Sequence, residues 1–424
     1  MSTYRPRIYD TVLREHLEAA GAVLVEGPKW CGKTTTCEQL AASAIYLHDP
    51  EKRDQYAQLA DLSPSSLLEG ETPRLIDEWQ TSPQLWDAVR FAIDKRRKHG
   101  QFVLTGSVVP PDTGDIQHTG TGRIARLRMR TMSLFESGDS SGAVSMEKLF
   151  VRKEVPVSEA PSNDLEHVAY LICRGGWPDV IGYGERIALR QSYNYLDALV
   201  SMDISAVDST KRDEETARML LRSYARMVSS HGSYRAMLTD LTQAQMAISE
   251  PTFLEYVHAL GKLFVTEDLT AWNPNLRSKT AIRTSPTRHF TDPSIPAAAL
   301  GTSPAELMED LETFGLLFED LAVRDLRVYA DLIDGDVFHF RDKSGLECDG
   351  VIRLRNGHYG LVEVKLGGKK LIDEGVSSLL KVAEKLDPAK MPEPSFLMVL
   401  TATGDYAYQR EDGVIVVPIT TLGP

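Results

Sequence analysis

Over the first 135 residues, short apolar runs that end in glycine or in acids alternate with helical stretches. Ala22–Glu26 (AVLVE) is an apolar run closed by Gly27, and Thr34–Ser43 reads as the helix after it. Ala44–Leu47, Arg74–Ile76 with Asp77, and Phe102–Thr105 are three further strand candidates. Ile124–Met132 sets Leu127, Met129 and Thr131 against Arg126, Arg128 and Arg130, the alternation of a strand with one charged face. Between these runs, Pro83–His99 carries Leu85, Trp86, Val89 and Ile93 at helical spacing. Apolar strands separated by helices imply a parallel sheet covered on both faces, an α/β fold.

The pattern then changes. Asp112–Gly122 is rich in Gly, Thr and Asp and predicts a mobile loop, while Ser137–Ser145 and Val155–Asn163 are polar stretches that end the first domain. From Glu166 to Leu269 the periodicity is mostly helical, clearest in Arg190–Val200, Glu214–Ser229 and Thr252–Phe264. Leu263–Leu269 reads as a short strand, and helices followed by a strand predict a winged-helix-like module. Its outer face carries Glu250, Glu255 and His258, which suits packing better than contact with a phosphate backbone. A third region opens near Ser303 with a helical stripe of Phe314, Leu317, Phe318 and Leu321, followed by strands from Asp336 to Val364. The expected domains are 1–160, 161–300 and 301–424.

Composition narrows the setting. The 424 residues are 42% hydrophobic and 25% charged, which is ordinary for a globular chain. No apolar run approaches the roughly 20 residues of a membrane helix, and MSTYRPRIYDTVLREH lacks a signal-peptide core, so no membrane association and a cytoplasmic address are expected. Cys31, Cys37, Cys173 and Cys348 form no C-x-x-C pair, which argues against a zinc site. A net charge of −13 excludes a protein that coats nucleic acid with its whole surface. Basic residues concentrate between Lys95 and Arg130, whereas residues 301–424 hold 13 basic against 22 acidic residues, so polyanion contact is expected nearer the former.

Gly27-Pro28-Lys29-Trp30-Cys31-Gly32-Lys33-Thr34, with Thr35 next, satisfies G-x-x-x-x-G-K-[ST] at every fixed position. Its glycines let the backbone close into a nest of N–H donors around phosphates, and the start of the next helix adds partial positive charge. Lys33 is expected on the β- and γ-phosphates of ATP and the Thr34 hydroxyl on Mg²⁺. The competing reading, a tight turn and nothing more, is opposed by the strand before it and the helix after it. Arg74-Leu-Ile-Asp77-Glu78 then delivers Asp77 to the magnesium shell and sets Glu78 to orient or deprotonate the attacking water. The alternative is a buried strand that ends in two acids at a turn. Thr105 and Ser107 end the next strand beside the expected γ-phosphate, either to sense it or to cap a loop. Arg123 or Arg126 either reaches a neighbouring subunit's nucleotide as an arginine finger or belongs to a solvated strand face.

With these motifs on the page, the chain resembles bacterial and archaeal two-part ATPases of the AAA_14 type with a C-terminal DUF4143 domain. GPKWCGKTT, LIDEWQ and LTGS carry the resemblance, with Gly120-Thr-Gly122-Arg123, Ser133-Leu-Phe-Glu136, Gly175-Gly176-Trp-Pro178, Asp292 in HFTDP and Phe318-Glu319. The resemblance implies an AAA-type strand arrangement, a helical or winged-helix middle and a restriction-endonuclease-like C-terminal α/β domain. It also implies a homo-oligomer, a ring or a spiral.

Glu347-Cys-Asp349 followed by Glu363-Val-Lys365 is similar to the PD-(D/E)-x-K nuclease core. There two carboxylates, here Asp349 and Glu363, hold Mg²⁺ and the lysine assists the attacking water. Strand alternation puts Glu363 and Lys365 on one face. A two-residue Asn356-Gly357 turn would pair Asp349 with Val364, on the wrong face. A three-residue Arg355–Gly357 loop with left-handed Gly357 pairs Asp349 with Glu363, so nuclease chemistry predicts the latter. Glu319 is either a further acid or a buried or capping residue. Against this reading, the leading proline–aspartate is absent, and cross-strand Asp–Lys pairs are common surface decoration. The expected function is a Mg²⁺-dependent ATPase coupled to a nuclease-like domain that acts on DNA or RNA. The alternative is an ATP-dependent switch whose degenerate nuclease fold binds a protein partner.

Overall fold

The computed structural model describes residues 4–108, 119–151, 157–161, 164–208, 210–274, 284–386 and 391–424. Residues 112–118 of the expected Asp112–Gly122 loop, and 155–156 and 162–163 of the second polar stretch, lie outside the described residues.

The alternating runs become five strands, β1 (Ala22–Glu26), β2 (Ser43–Tyr46), β3 (Arg74–Asp77), β4 (Phe102–Gly106) and β5 (Ile124–Arg128). They form one parallel sheet in the order β2-β3-β4-β1-β5. Both faces are covered. Val23, Val25 and Val103 face one core, whereas Ala22, Leu24, Phe102 and Leu104 face another, closed by the helix Leu85–Arg96. Because β4 lies between β1 and β3, the loop after β1 and the acids after β3 open on the same sheet edge, with Thr105 and Ser107 between them.

Two elements differ from expectation. The helix after β1 is Lys33–Glu38 and does not run to Ser43, because Ser43 already pairs with Arg74 as the start of β2. Strand β5 stops at Arg128. The chain beyond it leaves the sheet, with Arg130 paired to Glu267 and Asp331 and the Thr131 hydroxyl donated to Asp292 at 2.7 Å.

The middle is helical, through Leu165–Arg174, Glu185–Ala198 with a π-helical turn Leu199–Asp203, Glu214–Ala225, Tyr234–Gln243 and Glu250–Lys262. The expected strand Leu263–Leu269 is not formed. Phe264 takes a left-handed φ of 57°, which breaks an extended run, and only isolated bridges Thr266–Phe290 and Leu269–Thr287 remain of a wing.

The C-terminal part is built on the helix Leu311–Leu332 and a seven-stranded mixed sheet flanked by the helix Lys369–Lys385. Its strands are β8 (Gly335–Arg341), β9 (Glu347–Leu354), β10 (Tyr359–Lys365), β11 (Leu397–Thr401), β12 (Tyr406–Gln409) and β13 (Ile415–Pro418). The seventh is β7 (Ser158–Glu159), which pairs with β12, and β6 (Val144–Ser145) pairs with β14 (Leu422–Gly423). Residues 144–145 and 158–159 therefore pair with C-terminal strands and not with the parallel sheet, although both precede the expected boundary at 160.

Buried charges bind the three parts. Arg324 holds Asp325 at 2.7 Å and Asp292 at 3.3 Å, and Asp292 also accepts the Gly176 amide at 2.8 Å. Burial opposes ionisation of Glu267, yet Arg130, Arg327 and Arg128 hold its carboxyl well below the usual range. Paired in this way, buried ions are costly to separate.

Candidate functional site

Gly27 passes so close to the Met129 carbonyl oxygen that a Cβ would sit 2.1 Å from it, so a side chain there would push the phosphate loop off the sheet. The loop then turns through Trp30 with a φ of 68° and Gly32 into the helix Lys33–Glu38. The Lys33 ammonium, buried beneath the loop, donates to the carbonyls of Gly27 at 2.9 Å and Pro28 at 2.8 Å.

The Thr34 hydroxyl donates to Asp77 Oδ1 at 2.7 Å, and Thr105 donates to the same oxygen at 2.6 Å. Thr105 Oγ1 in turn accepts the Glu78 amide at 3.1 Å. Glu78 takes a left-handed φ of 57° directly after β3, which turns its carboxylate away from the strand axis, where Oε2 accepts the Ser107 hydroxyl at 3.1 Å. Thr105 therefore caps the turn after β3 through the Glu78 amide, while the Ser107 hydroxyl bonds to the Glu78 side chain. Lys33, Thr34, Thr35, Asp77, Glu78 and Ser107 line one cavity of about 1140 Å³.

The other walls were not legible as site residues. Tyr4–Arg7 forms one, and Pro178–Tyr183 of the helical part forms another. Arg7 donates to the Cys31 carbonyl at 2.8 Å and to Glu136 at 2.9 Å, tying the loop to the SLFE segment. His48 Nδ1 lies 3.4 Å from Asp77 Oδ2. Lys29 pairs with Asp203 at 2.6 Å, and the Trp30 and Tyr195 rings stand 6.4 Å apart, so two variable positions of the loop rest on the helical part. The Cys31 side chain is buried against the Met129 carbonyl.

Arg123 is not brought to this cavity. It precedes β5 at the opposite end of the parallel strands and pairs with Asp94 at 2.8 Å, while Arg126 pairs with Glu26 at 3.4 Å.

The C-terminal acids meet on the β9–β10 hairpin. Tyr359 pairs with Arg353 and Val362 with Gly350, and Gly357 has a φ of 94° in a loop closed by Leu354 and His358. This is the three-residue turn, and it sets Asp349 opposite Glu363. Lys365 Nζ lies 2.7 Å from Glu363 and 3.4 Å from Asp349. The remaining Glu363 oxygen accepts the Ser378 hydroxyl at 3.0 Å, and Asp349 accepts the Val364 amide at 2.8 Å. Burial, then the charge of Asp349, pushes the Glu363 carboxyl up to about 8 against the pull of Lys365. Burial and Asp349 likewise raise half-buried Glu319 well above its ordinary value. Among the described residues no three His, Cys, Asp or Glu side chains converge as a metal-holding group; here the acids converge on the Lys365 ammonium.

Known proteins can now be set beside this geometry. Residues 19–137 match the AAA_14 family, described as an AAA domain. The AAA domain so defined contains the whole parallel sheet and every cavity residue of the phosphate loop, β3 and β4. Residues 165–306 match DUF8612 and residues 314–422 match DUF4143, both described as domains of unknown function. Strands β6 and β7 fall between the matched stretches. The chain is 23% identical over 408 residues to each of two uncharacterized proteins, Rv2008c of Mycobacterium tuberculosis and Mb2031c of Mycobacterium bovis. Each alignment covers 96% of this chain and 82% of the relative. Among solved structures, the Walker-type ATPase PABY2304 of Pyrococcus abyssi is similar at a TM-score of 0.41 and 13% identity. That alignment covers 70% of this chain and 96% of the other. No helix among the described residues is long and apolar enough to cross a membrane.

Proposed function

We propose that the AAA domain hydrolyses ATP in a Mg²⁺-dependent reaction, with Asp77 and Glu78 as its acids. The single observation that carries this reading is the placement of a hydroxyl and two acids, Thr34, Asp77 and Glu78, on one wall of the cavity behind the phosphate loop. Thr34 Oγ1 and Asp77 Oδ1 form an all-oxygen donor set, which fits a hard divalent cation. When bound, Mg²⁺ neutralises charge on the phosphates. The chain's own residues do the rest. Lys33 exchanges the Gly27 and Pro28 carbonyls for phosphate oxygens, and the loop amides hold the triphosphate. Glu78 accepts the proton of the attacking water, with its carboxylate oriented by Ser107. Thr105 fixes Asp77 and the Glu78 amide together, so the two acids keep a common frame. Arg123, directed away from its own cavity, acts only if a second copy presents its nucleotide there, in a ring or spiral. Isothermal calorimetry tests the core of the reading: uptake of ATP with magnesium by the wild type and none by Lys33→Ala supports it, and no uptake by the wild type refutes it.

A second reading is favoured by the hairpin register. Asp349, Glu363 and Lys365 on one face, with Glu319 adjacent, support a nuclease-type site in a restriction-endonuclease-like domain, with DNA or RNA as substrate. Two carboxylates bridged by one ammonium suit a divalent cation that would relieve the repulsion left between them. Mg²⁺-dependent cleavage abolished by Asp349→Ala supports this reading. ATP-dependent capture of a protein partner, unaffected by Asp349→Ala, favours the degenerate-fold alternative.

A further inference from the structure

The basic run Lys95-Arg96-Arg97-Lys98-His99 is a motif that neither site above uses. It ends the helix Leu85–Arg96 and leads into β4, at the end of the parallel sheet away from the phosphate loop. Backbone bonds fix the turn on both sides. The Arg97 amide donates to the Ile93 carbonyl at 2.8 Å, and the Gly100 and Gln101 amides donate to the Ala20 and Gly21 carbonyls at 2.9 and 2.8 Å. Arg97 has a left-handed φ of 53°, at the position past a helix end where glycine is usual, so a cation stands there at a conformational cost.

Some cations of this region are already used. The Arg96 guanidinium lies over the Phe102 ring, 5.1 Å from its centroid, and donates to the Leu68 carbonyl at 3.4 Å. Arg90 and Arg123 share Asp94, at 3.6 and 2.8 Å. His99 Nδ1 lies 2.8 Å from the Glu18 carbonyl. Lys95, Arg97 and Lys98 are exposed and have no hydrogen-bond or ion-pair partner among the described residues. The Glu18 and Glu69 carboxylates of the neighbouring segments pair with none of them. A helix C-terminus favours cations within its last turn, which suffices for Lys95 and Arg96; Arg97 and Lys98 lie past it. One turn before Lys95, the Phe91 ring is 64% exposed on the outer face of the helix, opposite the buried Leu85, Val89 and Ile93. The net charge of −13 over the whole chain opposes a polyanion, so a local surplus of cations decides where one can rest.

We infer that Phe91 and residues 95–98 form a binding surface for single-stranded nucleic acid, with Lys95, Arg97 and Lys98 on its phosphates and Phe91 stacked on a base. Free cations supply affinity for any phosphate backbone, and a bare aromatic ring accepts any base that is not already paired. The surface belongs to neither reading above, because it includes no residue of the phosphate-loop cavity or of the C-terminal acid cluster. An acidic protein segment would pair with the same cations without needing the ring, so Phe91 decides between the two partners.

Fluorescence anisotropy of the full chain with labelled oligothymidylate and oligouridylate, in EDTA so that no metal-dependent step intervenes, tests the inference. The wild type should bind at least one of them. Its log affinity should fall against log salt with a slope of about −2, as three phosphate contacts on a single strand imply. The triple variant Lys95→Gln, Arg97→Gln, Lys98→Gln should bind at least about tenfold more weakly at low salt, with a slope near zero. Phe91→Ala should bind about tenfold more weakly with the slope unchanged, the loss of one stacked base. All four side chains are exposed, and thermal melting checks that both variants fold. ATP uptake by both should match the wild type, since none of these residues lines the phosphate-loop cavity. A wild type that binds neither strand at low salt, or a triple variant of undiminished affinity, overturns the inference. Full affinity in Phe91→Ala also overturns it, because the cations alone then serve any polyanion, an acidic protein included. None of these results bears on ATP turnover or on cleavage, whose own tests stand apart.

Discussion

The phosphate-loop cavity and the C-terminal acid cluster both set two carboxylates near one lysine, yet they are assembled in opposite ways. At the first, Gly27–Thr35 supplies a continuous cradle, and a neighbouring strand adds Asp77 and Glu78 with their oxygens held apart by Thr34, Thr105 and Ser107. Lys33 bonds to backbone carbonyls and not to the acids. At the second, Lys365 lies directly on Glu363 and near Asp349, half-buried Glu319 crowds the pair, and two of the carboxyls are pushed up. At the first site Asp77 is buried and Glu78 half-buried, each held by neutral hydroxyls with no lysine on either among the described residues. The second stores mutual repulsion that a cation would relieve.

Substitutions separate the two. The largest selective effect on turnover is expected from Glu78→Gln, which should lower it by about 10²–10⁴-fold while ATP still binds, because only the proton acceptor is lost. Phosphate release and calorimetry together read the split. Lys33→Ala should abolish binding and turnover alike.

At the second site pH is the sharper probe. The folded-state Glu363 carboxyl is raised from 4.5 to about 8, so its contribution favours folding below the ordinary value and is lost as pH rises through about 8. Melting of the wild type should therefore fall by a few degrees across that window, and Glu363→Gln should flatten the profile. Equal slopes in both proteins would show that Glu363 does not titrate there.

How legible each site was follows from the same difference. The phosphate loop is a local motif whose ligands are mostly backbone, so strand, loop and helix were all readable in one stretch. The hairpin register was readable because Gly357 can adopt the left-handed φ that the three-residue turn needs. Gly357→Ala should cost about 1 kcal/mol by denaturant titration, all of it conformational, since a Cβ there meets nothing. What could not be read depends on pairs far apart in the chain: Arg7 on Glu136, His48 near Asp77, His231 against Glu347, and residues 144–145 and 158–159 on the C-terminal strands. Strand Leu263–Leu269 failed because Phe264 turns left-handed, and β5 fell short because Arg130 and Thr131 are claimed by buried partners. Periodicity carries no information on either.

The smallest expected effect joins the two halves. Lys29 and Asp203 are partly exposed, so Asp203→Asn should change stability by less than about 1 kcal/mol in thermal melts.

The most direct measurement is steady-state phosphate release from ATP with magnesium, comparing the wild type with Glu78→Gln. The account predicts turnover in the wild type and its near-complete loss in the variant. Turnover that survives Glu78→Gln undiminished, or a wild type that binds ATP and releases no phosphate, would contradict it.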